Sequence, residues 1–297
     1  MNFLYALKTK LRYSAAGMKF VNAVKYSVFG DILYKICDKF DLTDAACVED
    51  AAKSKAFFEK NATRVQKIAD ALADDESKEC FLKIVRFRQT QNKIDRPKFS
   101  LHDQYFPKDI VTLSKDEVFV DCGAYIGDTI KKFLSVCKNS YKCVVAFEPD
   151  ESLSAQIPAV PRLVVVNKGV WNKKDRPAFE CKRDGSGKIR EASRCYLTNS
   201  LSGEVTSGTV QVDAIDNIPE CADATFIKMD IEGAEQNALA GAEKTIRRNR
   251  PKLAICIYHS DEDMLDIPER VLALNMGYKL YVRHHFGTIY ETVLYAV

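Results

Sequence analysis

The chain changes its hydrophobic period near residue 115. Before that point apolar positions recur at helical spacing: Phe3, Leu4, Leu7 and Leu11, then Phe20, Val21, Val24 and Val28, then Phe57, Phe58, Val65, Ile68 and Leu72, and finally Phe81, Leu82, Ile84, Val85 and Phe87. Asp74-Asp75-Glu76 separates the last two groups, and Pro97 and Pro107 close the helical region. Beyond it, short apolar runs predict strands at Val118–Cys122, Cys143–Phe147, Leu163–Val166, 225–229 and 253–258, with helices at 128–137, 234–247 and about 262–274 and two closing strands at 278–283 and 288–295. Alternating buried strands and helices predict an α/β fold with a mostly parallel sheet, while the close final pair predicts a terminal antiparallel strand. The expected organisation is a helical extension or cap over residues 1–100 and an α/β domain over 101–297. Polar, glycine-rich sequence around 172–211 is expected to insert a hairpin, whose Lys182, Arg183, Lys188, Arg190 and Arg194 suit either an acidic substrate or simple solvation.

Composition narrows this only modestly. The 297 residues are 46% hydrophobic, enough for a substantial core. With 44 Lys and Arg against 41 Asp and Glu, the net charge of +3 calls for no nucleic-acid partner. Ten cysteines without a Cys-x-x-Cys pair read as reduced packing residues of a cytoplasmic protein. Phe3 to Leu7 is too short for a secretory core, and no apolar run approaches the length of a transmembrane segment. Lys8, Lys10, Arg12, Lys19 and Lys25 lie among the first helical positions; a solvated amphipathic helix accounts for them more simply than a membrane-surface helix.

The chemistry concentrates in Val118-Phe-Val-Asp-Cys-Gly-Ala-Tyr-Ile-Gly-Asp128. Asp121 ends a strand, and Gly123 and Gly127 bracket a turn into a helix, so a carboxylate and exposed backbone N–H groups are expected to meet there. A phosphate loop needs a Gly-Lys-Ser/Thr ending and a dinucleotide fingerprint needs a third glycine; both are absent. Glu148, Asn167, Asp230 and His259 also fall at strand carboxyl ends, the edge where open α/β sheets collect ligands. Each has a plainer role: Asp121 or Asp230 can cap a helix, Asn167 can fix a turn, and His259 can be a satisfied core histidine. Their coincidence at one edge favours a site. Residues 99–106, with His102 and Tyr105, either cover that edge or pack on the first helix of the α/β domain.

The order Asp121-x-Gly123-x-x-x-Gly127, then strand and Glu148-Pro149, resembles the cofactor site of Rossmann-like S-adenosylmethionine methyltransferases. With Val212-Asp-Ala-Ile-Asp216, Phe226-Ile-Lys-Met-Asp-Ile-Glu-Gly-Ala-Glu235 and Leu239-Ala-Gly-Ala242, the resemblance sharpens to the FkbM-type methyltransferase family over roughly residues 115–260. It implies a Rossmann-like class I methyltransferase fold and S-adenosyl-L-methionine as cofactor. Asp121 then lies near its methionine part and Glu148 accepts both ribose hydroxyls, a role that suits a carboxylate's two acceptor oxygens. Gly123, Tyr125, Gly127 and Asn167 complete the expected cofactor set. Tyr125 departs from the family's usual turn and is expected to cover the cofactor or narrow its entrance.

The resemblance further implies O-methylation of a hydroxyl on a sugar, saccharide or small metabolite. Asp230 and His259 are the expected catalytic pair, Asp230 orienting the hydroxyl and His259, with an ordinary near-neutral pKa, receiving its proton. Many relatives carry an acid where this chain has Tyr258-His259-Ser260-Asp261. Glu232 is a secondary substrate-facing candidate, and Glu235 suits the first turn of a helix. No metal is assigned, although Asp230, His259, Asp261 and His284 offer a dispersed ligand set. An NAD-dependent oxidoreductase and a non-catalytic nucleoside-binding scaffold are the alternatives. A homo-oligomer is compatible with the helical extension.

Overall fold

The computed structural model describes residues 51–176, 178–181, 195–198 and 207–297, together with Ile32. The expected basic helix over 1–40 and the basic positions 182–194 lie outside the described residues, Ile32 apart. Three helices come first, α1 (Ala51–Lys60), α2 (Ala62–Ala71) and α3 (Asp75–Thr90). Asp74 caps α3 by accepting the N–H of Ser77 at 2.7 Å. The sheet and its crossovers follow: β1 (Val118–Cys122), α4 (Asp128–Val136), β2 (Cys143–Phe147), α5 (Glu151–Ser154), β3 (Leu163–Val166) and the short β4 (Gly169–Val170). Next come β5 (Ala178–Cys181), β6 (Cys195–Thr198), β7 (Ser207–Thr209), β8 (Val212–Asp213), β9 (Phe226–Met229), α6 (Glu235–Gly241) and α7 (Glu243–Asn249). The last elements are β10 (Lys252–Cys256), α8 (Asp263–Ala273), β11 (Leu280–His284) and β12 (Thr292–Ala296).

The main sheet has seven strands in the order β11-β12-β10-β9-β1-β2-β3. β3, β2, β1, β9 and β10 run parallel. β12 runs antiparallel between β10 and β11. This is the Rossmann-like class I arrangement with the expected antiparallel terminal strand, β12, which inserts between β10 and β11 and leaves β11 at the edge. The strand order reverses between β1 and β9, which makes the carboxyl ends of those two strands the topological switch point. The insertion is an antiparallel sheet of order β6-β5-β7.

The two faces of the main sheet are covered differently. On one, Phe106 packs with Phe119, Phe133 and Phe226, and the rings of Phe119 and Phe133 stack with centroids 4.6 Å apart. On the other, Val120, Val145, Ile227 and Ile255 share a core with Phe58, Ile68, Phe81 and Ile84 of α1 to α3. The early helices are thus joined to the sheet by one hydrophobic cluster. Polar contacts reinforce the join: Arg283 of β11 meets Asp74 and Asp109 at 2.8 Å each, and Ser77 Oγ accepts from Val282 N at 3.0 Å. Arg64 of α2 reaches Asp266 and Glu269 of α8, both at 2.6 Å.

The helix expected over 234–247 is two helices broken at Ala242 (φ −110). Gly241 lies so close to Trp171 that a Cβ there would stand 2.0 Å from its carbonyl oxygen. Asp216 then restarts the chain as α7 by accepting the N–H of Lys244 at 3.0 Å and of Thr245 at 2.8 Å.

The shared core predicts joint unfolding of helices and sheet. Phe81 is 0% exposed, and Phe81→Ala should cost about 3–5 kcal/mol. In urea titrations, far-UV circular dichroism, dominated by the helices, and fluorescence of the single tryptophan, Trp171, should move together to a lower midpoint. A tryptophan transition left at its wild-type midpoint would show that the helices fold separately.

Candidate active site

The glycine turn is held against two neighbouring strands. Gly123 (φ 81) and Gly127 (φ 79) both adopt left-handed backbone. A Cβ on Gly123 would come within 2.0 Å of the Asp230 carbonyl oxygen, so only glycine lets β1 leave the sheet this close to the end of β9. The turn differs from expectation in its donors. The N–H groups of Gly123 and Ala124 both go to Phe147 O, at 3.0 and 2.9 Å, and that of Tyr125 goes to Glu148 Oε2 at 2.9 Å. These N–H groups pin the turn to β2 and are not free for a ligand.

What the turn presents is a fixed carboxylate. Glu148 is 7% exposed; Oε2 takes the Tyr125 N–H, and Oε1 takes the Asp150 N–H at 3.0 Å. Each oxygen retains acceptor capacity. Burial pushes the Glu148 pKa up to about 7, against the pull of the two backbone donors. Tyr125 is left-handed at φ 50, half-buried beside Glu148. Asn167, at the end of β3, donates through Nδ2 to Ser154 Oγ of α5.

Asp121 is wholly buried, 3.0 Å from Lys228 Nζ through Oδ1. Register dictates the pair, since Asp121 and Lys228 are direct partners across parallel β1 and β9 and point to the same face. Lys228 also donates to Cys122 O at 3.2 Å and Gly123 O at 2.8 Å, tying the base of the turn. Burial lifts the Asp121 pKa to about 6, with Lys228 opposing. For Lys228, burial favours the neutral amine, but the carboxylates of Asp121 and Asp230 outweigh it and hold the ammonium form.

Asp230 stands at the switch point with its side chain 21% exposed. Its Oδ2 accepts from Tyr105 OH at 2.7 Å and its Oδ1 from Tyr258 OH at 3.0 Å. Burial alone would raise its pKa; Lys228, His259 and the two phenols override this and bring it to about 2. Residues 99–106 both pack on α4, through Phe106, and reach the site, through Tyr105.

His259 lies behind Asp230, its side chain 3% exposed. Nε2 is 3.4 Å from Asp230 Oδ1 and 3.5 Å from Glu232 Oε2, and Nδ1 is 3.2 Å from Glu235 Oε1. Burial favours neutral imidazole, but Glu235, Asp230 and Glu232 prevail and raise the pKa to about 9. The ordinary near-neutral titration expected for His259 is therefore replaced by a charged ring at pH 7. Glu235 has a second role, since its Oε1 accepts the N–H of Ile231 at 2.8 Å at the start of α6. Asp230, Glu235 and His259 each bring a potential ligand atom within 4.8 Å of the others. Asp261 and His284, by contrast, do not join them. Asp261 pairs with Arg88 at 2.7 Å, and buried His284 is tied to Thr288 O and Thr292 Oγ1.

The structure thus brings Asp121, Gly123, Asp230 and His259 to the ends of β1, β9 and β10, with Tyr125, Gly127, Glu148 and Asn167 along β2 and β3. Lys228 was missed as a site residue, although it had a signal, a lone charge inside the apolar run Phe226-Ile-Lys-Met. Tyr105 was expected only as part of a segment that covers the edge or packs on the first helix, and its contact with Asp230 spans 125 residues of sequence.

Residues 121–280 match the family described as the methyltransferase FkbM domain, which is more than half of the chain. Among solved structures the chain is similar to methyltransferase FkbM from Methylobacillus flagellatus KT, with 27% identity and a TM-score of 0.67 over 82% of this chain and 60% of that one. This chain therefore spans less than two thirds of that relative. It is also similar to an rRNA methylase from Streptococcus thermophilus, at 14% identity and a TM-score of 0.35 over 62% of this chain and 88% of that one, too distant to bear on function. No curated protein matches.

The buried ion pair yields a prediction. Lys228→Met leaves Asp121 without its cation, and breaking a buried pair costs about 3–5 kcal/mol. The loss should grow from pH 5.5 to pH 8, because without Lys228 nothing opposes the burial of Asp121. Its carboxyl, which titrates at about 6 in the wild type, stays protonated at the lower pH and is driven to ionise unpaired only as the pH rises. Adding Asp121→Asn to Lys228→Met should recover part of the stability at pH 8. Urea unfolding at both pH values checks this, and equal losses at the two would contradict it.

Proposed function

The chain belongs to the FkbM methyltransferase family, and on that premise we propose that it is an S-adenosylmethionine-dependent O-methyltransferase acting on a hydroxyl of a sugar, saccharide or other small metabolite. The observation that carries this reading is Glu148, a carboxylate fixed by one backbone N–H on each oxygen and set beside a glycine turn at the switch edge. Its remaining acceptor capacity fits the vicinal hydroxyls of a ribose. The close passage of Gly123 over Asp230 O brings cofactor and acceptor edges together. In this reading residues 101–297 form the methyltransferase domain and the helices before residue 100 brace its sheet.

The bound cofactor supplies an activated methyl group on a sulfonium centre. The chain has to align the acceptor oxygen with that carbon, exclude water and dispose of one proton. Asp230 suits the alignment, since the Tyr105 and Tyr258 hydroxyls fix its carboxylate. It is a weak base, and a weak base suffices when the proton leaves late, because an oxygen that has gained a methyl group while keeping its proton is strongly acidic. His259, charged at neutral pH, holds Asp230 in place rather than taking that proton. Asp230 would hold the acceptor hydroxyl in line with the methyl group the cofactor supplies, take the hydroxyl proton as the oxygen gains that group, and pass it on to water.

Cofactor affinity should depend on pH through Glu148. Its pKa of about 7 means that the ionised carboxylate, which can accept from both hydroxyls, is lost as pH falls through that value. Calorimetry with S-adenosylhomocysteine should show weaker binding at pH 5.5 than at pH 8.5. Glu148→Gln should bind roughly tenfold more weakly and with a flatter pH dependence. A folded sample that binds NAD and neither S-adenosylmethionine nor S-adenosylhomocysteine would overturn the proposal.

Once screening by mass gain of one methylene unit has found an acceptor, Asp230→Asn should lower single-turnover transfer about 100-fold, the scale of a misplaced reacting group. Affinity for S-adenosylhomocysteine should stay within about threefold of wild type, a change under 1 kcal/mol. An unchanged transfer rate would remove Asp230 from the acceptor site.

A further inference from the structure

We propose that Asp230, Glu232 and His259 form a site for a divalent first-row cation, with Glu235 as the residue that orients the imidazole. Two independent features carry the inference. The first is convergence: His259 Nε2 has Asp230 Oδ1 at 3.4 Å and Glu232 Oε2 at 3.5 Å. Atoms bound to one ion at about 2.0–2.2 Å stand roughly 3.0–3.5 Å apart, depending on octahedral or tetrahedral geometry. The second is a buried ring nitrogen aimed into the cluster: the His259 side chain is 3% exposed, and its Nε2 completes no directed hydrogen bond among the described residues. Buried polar atoms are rarely left so.

The surroundings have the layout of a supported metal site. One ring nitrogen can bind the ion while the other donates to an outer carboxylate, which fixes tautomer and ring orientation. Glu235 is placed for the outer role, with Oε1 3.2 Å from Nδ1 and itself anchored by the Ile231 N–H at 2.8 Å. Nε2 is thereby left toward Asp230 and Glu232. Asp230 is held by the Tyr105 and Tyr258 hydroxyls. Glu232 is presented by a left-handed turn, at φ 56, followed by Gly233 at φ 95, an unusual conformation for a glutamate and one that accumulates at functional sites. A cation also resolves the crowding of three carboxylates around one buried ring. One imidazole with two carboxylates suits manganese, iron or zinc better than calcium, which prefers oxygen ligands alone.

The role of the ion rests on the methyl-transfer reading; the site itself does not. An ion here would take the acceptor hydroxyl as a further ligand and make it more acidic, so that its proton leaves to water more readily during transfer.

The probe is Mn2+ added to the full chain, followed by electron paramagnetic resonance. Wild type should bind one Mn2+ per chain, with a spin-echo modulation from a directly bound nitrogen. His259→Gln, confirmed as folded by its circular dichroism melt, should lose that modulation and the tight binding together. Glu235→Gln should bind about 10–100-fold more weakly, as expected when an outer carboxylate is removed. Asp75→Asn, which alters an exposed carboxylate far from the site, should bind as wild type does. Absence of stoichiometric Mn2+ from wild type, or binding unchanged in His259→Gln, overturns the proposal. S-adenosylhomocysteine calorimetry on the same samples separates the two readings. Mn2+ bound without S-adenosylhomocysteine leaves the ion site standing and sinks the cofactor reading, and the reverse leaves the cofactor reading and sinks the ion site.

Discussion

The Asp121–Lys228 ion pair is the constraint around which the site is assembled. Two charges in the middle of a sheet are costly to desolvate, and they are tolerable only when paired and supplied with hydrogen bonds. Register pairs them without any help from loops, because β1 and β9 are parallel neighbours and the two residues face each other across the ladder. The same lysine reaches the Cys122 and Gly123 carbonyls, so the charge that neutralises Asp121 also fixes where the chain leaves the sheet. Displacing Lys228 would unsettle the carboxylate below the turn, the turn itself and the electrostatic partner of Asp230 at once.

Above that pair the two sides of the switch point have opposite acid–base character, and burial alone does not explain it. Glu148 and Asp230 are both largely enclosed carboxylates. Glu148 is met by two backbone dipoles and no adjacent cation, so desolvation dominates and its pKa rises to about 7. Asp230 is met by Lys228, by charged His259 and by two phenols, so its pKa falls to about 2. One group is poised to change charge near neutrality and the other is a permanent anion. This division suits a site that recognises neutral hydroxyls on one side and holds a fixed negative charge on the other.

Much of this was legible in the chain. β1, β2 and β3 are short, largely apolar runs that fall where periodicity puts them, and β1 and β2 are buried along nearly their whole length. The gathering of Asp121, Glu148, Asp230 and His259 at one edge follows from strand polarity alone. Three things were hidden. The insertion of β12 between β10 and β11 depends on which edge a hairpin folds back upon, a choice that local pattern does not encode. The break at Ala242 depends on the Trp171 carbonyl and on Asp216, both supplied from outside the helix. The loss of free N–H donors at the glycine turn depends on the reach of Phe147 O and Glu148 from the next strand. Periodicity reports which face of an element is covered, and these features turn on which atoms cover it.

His259 shows why residue type alone is a poor guide to chemistry at such a site. A histidine at a strand end suggests a base, because free imidazole titrates near neutrality. Here Glu235 sits beside Nδ1 while Asp230 and Glu232 face Nε2, so three anions compete for one small cation. Without a further ligand the ring must keep its second proton to offset them, and it is then a charged strut. With a divalent ion on Nε2 that proton is displaced, the ion supplies the positive charge, and the same ring becomes a ligand. Both states leave His259 with no lone pair free for an acceptor's proton. The carboxylates that select the ring's state therefore decide its role, and Glu232 and Glu235, three and six residues past β9, act together with a ring that the sequence sets more than twenty positions downstream.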